Sequence, residues 1–340
     1  MTNEKQVQKG HAALAWLIIT IGSASLILLM GFSVTKGSAP IPLQTVWDSI
    51  FHFDAENTRH LIIIDVRLPR VIASALVGAA LATAGSIMQG TTRNPMADSG
   101  LLGLNAGAAF ALSICFAFFP AMGYHQVILI SFLGAGFGAA LVSGIASFRR
   151  REANPMRLIL AGAAVGALLT ALSQGIALYF GVAQNIMFWT VGGVAGSNWE
   201  QLRMMTPWIL LALLAAILLS PSISLLSLGE DVAKGLGGNT ALIQILSSVV
   251  VLILAGAAVS VVGAVGFVGL IIPHLARFLV GVDYRQIIPT SAVLGALLVV
   301  SADLASRTLN PPFETPIGAL IALVGVPFFL ILARKQRRSL

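Results

Sequence analysis

The stretch DVRLPRVIAS, residues 65–74, sets two guanidinium groups, Arg67 and Arg70, around a Leu-Pro pair just ahead of a long apolar run. Three residues apart on a helix, they share one face. Groups of this kind grip carboxylate or phosphate through paired hydrogen bonds; they do not make or break bonds. Pro69 suits a first helical turn. Cations placed there oppose the helix dipole, at about 0.3–1 kcal/mol each when exposed. A third arginine, Arg307, closes another apolar run four residues after Asp303, and an acid–base pair at that spacing is ordinarily structural. His274 follows Pro273, where the helix ladder is already broken and an imidazole can bond a freed carbonyl. His274 and Asp303 are the main ionisable groups within apolar runs.

Reaction chemistry is absent from the chain. It has no G-x-x-x-x-G-K-[ST], H-E-x-x-H or G-x-S-x-G and no Cys/His cluster, so it offers no ATP site of its own, no metal or cofactor site and no catalytic residue. Cys115 is the single cysteine, which excludes an intrachain disulfide.

The elements that position these residues are membrane helices. The chain of 340 residues is 57% hydrophobic and 10% charged, with a mean hydropathy of +0.92, against about 25% charged in soluble domains. The net charge of +7 lies in short clusters between apolar runs, the pattern of membrane orientation rather than nucleic-acid binding. About 20 apolar residues cross a bilayer. That ruler predicts an all-α polytopic membrane protein of about ten transmembrane helices, near 12–34, 70–90, 100–119, 126–148, 157–180, 206–226, 240–262, 264–281, 287–305 and 315–333. The first is long for a signal peptide and is read as a span. The nearly continuous run 242–280 is folded into two at Gly263–Gly266.

An even number of spans puts both termini on one side. With the N-terminus inside, fourteen Lys and Arg fall inside and six outside, which supports cytoplasmic termini. Arg67, Arg70 and Arg307 then lie outside, as exceptions to that bias. Two readings stay open on spacing alone, snorkelling to lipid phosphates or docking an acidic partner. Small residues recur at three- and four-residue spacing in GAALATAG, LNAGAAFA, GAGFGAA and AGAAVGA, which predicts close helix approach. Five spans per half would place the halves in opposite orientations, as in a 5+5 inverted repeat.

Five stretches carry a resemblance that covers residues from about 40 to the C-terminus: RLPRVIASALVGAALATAGSIMQG, NPMADSGLLGLNAGA, SLGEDVAKGLG, GAVGFVGLIIPHLARFLVG, and ADLASR with ETPIGALIALVGVPFF. The chain resembles the FecCD-type permeases, membrane subunits of ABC importers for iron-siderophores, haem and cobalamin. The resemblance implies a type II ABC importer permease fold of ten spans, forming one transmembrane domain over residues 1–340 in a bacterial cytoplasmic membrane. It implies a second permease subunit, cytoplasmic ATP-binding subunits that hold the ATPase activity, and an extracytoplasmic siderophore-binding protein. Arg67, Arg70 and Arg307 would receive acidic residues of that binding protein. The segment 227–239 would be the coupling helix seated in the ATPase, with Glu230, Ala233 and Gly237 at the matching positions, Asp231 and Val232 departing from the strict pattern, and Gly235 alongside. Asn94, Pro95 and Met96, with Asn154, Pro155 and Met156, match the cytoplasmic gate. PFETPIG and FLVGVDYR look like the iron-siderophore branch, with cobalamin or haem as the alternative cargo. An ion-coupled secondary carrier would instead bury carboxylates near the bilayer centre, and an intramembrane enzyme would pair polar residues at one depth.

Overall fold

The computed structural model describes the backbone of residues 2–37, 40–147, 155–191, 193–311 and 313–337. The helices are α1 (Thr2–Thr35), α2 (Leu43–Phe51), α3 (Thr58–Leu61), α4 (Leu68–Thr92), α5 (Leu104–Phe118), α6 (Tyr124–Ser147), α7 (Pro155–Tyr179), α8 (Ala183–Val191), α9 (Trp199–Ser227), α10 (Glu230–Gly235), α11 (Thr240–Val262), α12 (Val268–Val280), α13 (Tyr284–Thr308) and α14 (Ile317–Arg337). All ten expected spans have a helix. Among the described residues, seven helices or helical stretches are long and apolar enough to cross a membrane, and three shorter apolar helices, Leu104–Phe118, Val268–Val280 and Ile317–Leu332, join them.

Two of these three are shortened by irregular backbone at their start. Residues 99–102 form a 3-10 turn ahead of α5, and residues 263–267 leave the helix between α11 and α12. Irregular backbone at such places is tolerated where protein covers it, and Gly263 and Val265 are buried. The sharp break expected at Gly263–Gly266 is present.

Helix α4 is the central element, with α9, α11, α12 and α13 packed around it. Its sequence explains this. Eighteen of its residues are buried, most of them Ala, Gly, Ser or Val, so no face is reserved for lipid. A Cβ on Gly78 would lie 2.2 Å from the carbonyl oxygen of Gly295, and one on Gly85 would lie 2.0 Å from that of Gly269. The small-residue pattern therefore brings α4 into backbone contact with α13 and α12, which is how helices gain contact energy in lipid. Helices α5, α6 and α7 form a second group, joined to the first mainly through α6 and α11.

The break at Pro273 is repaired by a side chain. Pro273 leaves the carbonyl of Gly269 without its N–H partner. Gln89 Nε2 donates to that carbonyl at 3.3 Å and to Leu270 O at 3.4 Å. The ring of His274, on the same helix, lies edge-on to Phe328 with centroids 5.5 Å apart.

Candidate functional site

The approach to α4 is a π-helix, Ile62–Arg67, in which Leu68 N–H bonds Ile63 O. In that register the carbonyl of Ile64 looks to residue 69, a proline with no N–H. Trp199 Nε1 donates to it instead, at 2.8 Å. The wide turn sets Arg67 and Arg70 at the head of α4, where they meet the end of α13 across more than 230 residues of sequence.

All three arginines converge, and all three are buried, at 6%, 6% and 7% exposure for Arg67, Arg70 and Arg307. Arg67 Nη1 donates to Val34 O at 2.7 Å. Arg307 Nη1 donates to Lys36 O at 3.0 Å and Ser33 O at 3.3 Å, and its Nη2 bonds Ser33 Oγ. These carbonyls belong to the last turn of α1 and the residue beyond, where helix acceptors are unpaired and cations are favoured. Arg67 and Arg307 are thus the caps of α1. Asp303, fully buried, takes Arg70 Nε on Oδ1 and Arg307 Nη2 on Oδ2, both at 2.8 Å. The structural i, i+4 pair expected between Asp303 and Arg307 is present, and Arg70 is added to it.

Arg70 has a second carboxylate. Its Nη1 and Nη2 donate to Glu314 Oε1 and Oε2 at 2.8 and 3.0 Å. Glu314 lies between α13 and α14 with its side chain 45% exposed. The Arg70 hydrogen bond holds its carboxyl below the usual carboxylate range. Three arginines and two carboxylates leave a formal charge of +1. Sequence reading passed over Glu314 and Trp199; a glutamate flanked by two prolines after an arginine-capped span was the available signal for the first.

The opposite end of the bundle holds α10. From Arg70, α4 runs to Gly90, a rise of about 30 Å over 20 residues, where a Cβ would meet Ile223 of α9 and Tyr284 of α13. Ser224 Oγ donates to Asp283 Oδ1 and accepts from Tyr284 N–H, each at 2.8 Å, tying α9 to α13 there. Helix α10 follows α9. Glu230 pairs with Lys234 at 3.0 Å, which holds the Glu230 carboxyl below its usual range. The helix ends in a Schellman motif: Gly238 N–H bonds Ala233 O and Gly237 N–H bonds Lys234 O, with Gly237 at φ +83. Ala233 is fully buried against the bundle, while Val232 and Leu236 are exposed at 48% and 67%. Asp231 and Gly235 lie on the same short turn.

Of the expected gate, Asn94 closes a turn in which Met96 N–H bonds its Oδ1 at 2.9 Å, and Met96 is half-buried. Pro95 lies inside that turn. Asn154 lies outside the described residues, as do the side chains of Pro155 and Met156 at the start of α7. Among the described residues, no group of three or more His, Cys, Asp or Glu could hold a metal ion.

Residues 25–335 match the model of the FecCD transport family. The iron(3+)-hydroxamate import system permease protein FhuB of Bacillus subtilis is 50% identical over all of this chain and 88% of its own. The ferric enterobactin transport system permease protein FepD of Escherichia coli is 35% identical over 92% of this chain and 94% of its own. A solved metal-chelate type ABC transporter in an inward-facing conformation superposes with a TM-score of 0.81 at 30% identity, over 94% of this chain and 99% of its own.

Proposed function

This chain belongs to the FecCD transport family, and from that premise we infer that it is the permease subunit of an ABC importer that carries ferric siderophore across a bacterial cytoplasmic membrane. It is a multi-pass membrane transport protein with a type II importer fold, and ATP is hydrolysed on a separate subunit. One observation carries the reading. A buried arginine cluster stands at one end of α4, and a glycine-closed turn, α10, with Val232 and Leu236 exposed, stands at the other. The excess of Lys and Arg on the α10 side, fourteen to six, supports placing that end and both termini in the cytoplasm. The whole chain acts as one transmembrane domain.

In this account α10 enters the ATPase subunit through Val232 and Leu236. Ala233 locks the turn to the bundle, and the Glu230–Lys234 pair with Gly237 fixes its shape. Asp231 and Gly235 lie on the rim. An extracytoplasmic siderophore-binding protein presents acidic side chains to the Arg67, Arg70 and Arg307 cluster, and a second permease subunit completes the translocation path in the bilayer. Asn94–Met96 and Asn154–Met156 narrow that path on the cytoplasmic side. The relative at 50% identity belongs to an iron(3+)-hydroxamate system, which favours a ferric hydroxamate as cargo. Replacing Val232 and Leu236 together by aspartate should leave the fold unchanged, since both are exposed, and weaken retention of the ATPase subunit on purification by about tenfold or more. Wild-type retention would contradict the coupling role.

A further inference from the structure

The three arginines are not equally free to receive a partner. Arg67 and Arg307 are committed to the end of α1, and releasing them would leave helix carbonyls unpaired in a buried place. Arg70 Nε is committed to the fully buried Asp303. The terminal nitrogens of Arg70 are different. They hold Glu314, whose side chain is 45% exposed and lies outside any helix. That end-on, two-bond grip is also the geometry in which an arginine takes an incoming carboxylate.

We propose that Glu314 is a resident placeholder: it occupies the outward end of Arg70 until an acidic side chain of the extracytoplasmic binding protein displaces it. This rests on the reading that the cluster faces outward and docks that protein. The placeholder keeps a buried arginine paired in the resting state, when an uncompensated charge would be costly. It also makes docking an exchange of one carboxylate for another, so the contact selects for an acid while the loss of Glu314 offsets part of its affinity. With Glu314 released, Thr315 N–H to Ser306 O, at 3.0 Å, still ties the segment that leads into α14 back to α13.

The test uses the full permease–ATPase complex in lipid nanodiscs and the siderophore-binding protein of the same importer, with affinity measured at fixed salt. Glu314→Gln should tighten binding by roughly tenfold, and Glu314→Asp, which keeps the charge on a shorter arm, by less. Arg70→Gln should weaken binding. Unchanged or weaker binding by both Glu314 variants, while Arg70→Gln still weakens it, overturns the placeholder and leaves the docking site standing. Unchanged binding by Arg70→Gln overturns the docking reading itself.

Discussion

Asp303→Asn is expected to destabilise this protein by about 3–5 kcal/mol, the cost of removing one partner from a buried ion-pair network. The substitution keeps the shape of the side chain and removes the charge. Both oxygens of Asp303 serve buried arginines, and the residue is fully inaccessible. Without its charge, Arg70 keeps only the half-exposed Glu314, and Arg307 keeps only neutral acceptors. Because Arg307 caps α1 and Arg70 heads α4, the junction of three helices loosens together. Thermal unfolding of the purified complex in detergent measures this, and a midpoint equal to that of the wild type would contradict the account.

Gly85→Leu is expected to cost about 3 kcal/mol or more, the upper end of what overpacking does in a core. Its Cβ alone would lie 2.0 Å from Gly269 O and 2.4 Å from Gly269 Cα. No rotamer avoids a backbone contact, so α4 and α12 must separate. Separation also pulls Gln89 from the carbonyls of Gly269 and Leu270 that Pro273 exposes. Yield of folded protein after detergent extraction, compared with the exposed control Gly144→Leu, reads the effect. Gly144 has open space around its Cβ position. Equal yields for the two variants would mean that the helices do not rely on that contact.

Much of this fold was legible in the sequence because bilayer thickness converts directly into run length. The ten spans, the break at Gly263–Gly266 and the glycine contacts of α4 all follow from composition and spacing. What was not legible depends on register across space. The π turn before Pro69 has no pattern of its own, so the need for Trp199 at Ile64 O could not be foreseen. A side chain that reaches the broken ladder at Pro273, Gln89, comes from the facing helix α4, a contact that sequence spacing does not show. Spacing grouped Arg67 with Arg70 and Asp303 with Arg307; topology and the family resemblance set Arg307 beside the other arginines, and neither put Asp303 between Arg70 and Arg307. Burial was the larger gap. Both readings open for the arginines, lipid phosphates or an acidic partner, looked outward, yet all three are enclosed, because the ends of α1, α4 and α13 meet there. On α10 the pattern-matching Ala233 faces inward, while Val232, where the sequence departs from the family pattern, is among the residues left exposed.

The central claim is that this chain moves a ferric siderophore only as part of an ATP-driven assembly. The most direct measurement is uptake of a radio-iron-labelled ferric hydroxamate into proteoliposomes. They would contain the chain with its permease and ATPase partners, with ATP inside and the binding protein outside. The account predicts uptake that requires both ATP and the binding protein and that is lost with the Val232, Leu236 double aspartate variant. Uptake by the chain alone, driven by an ion gradient without ATP, would contradict it.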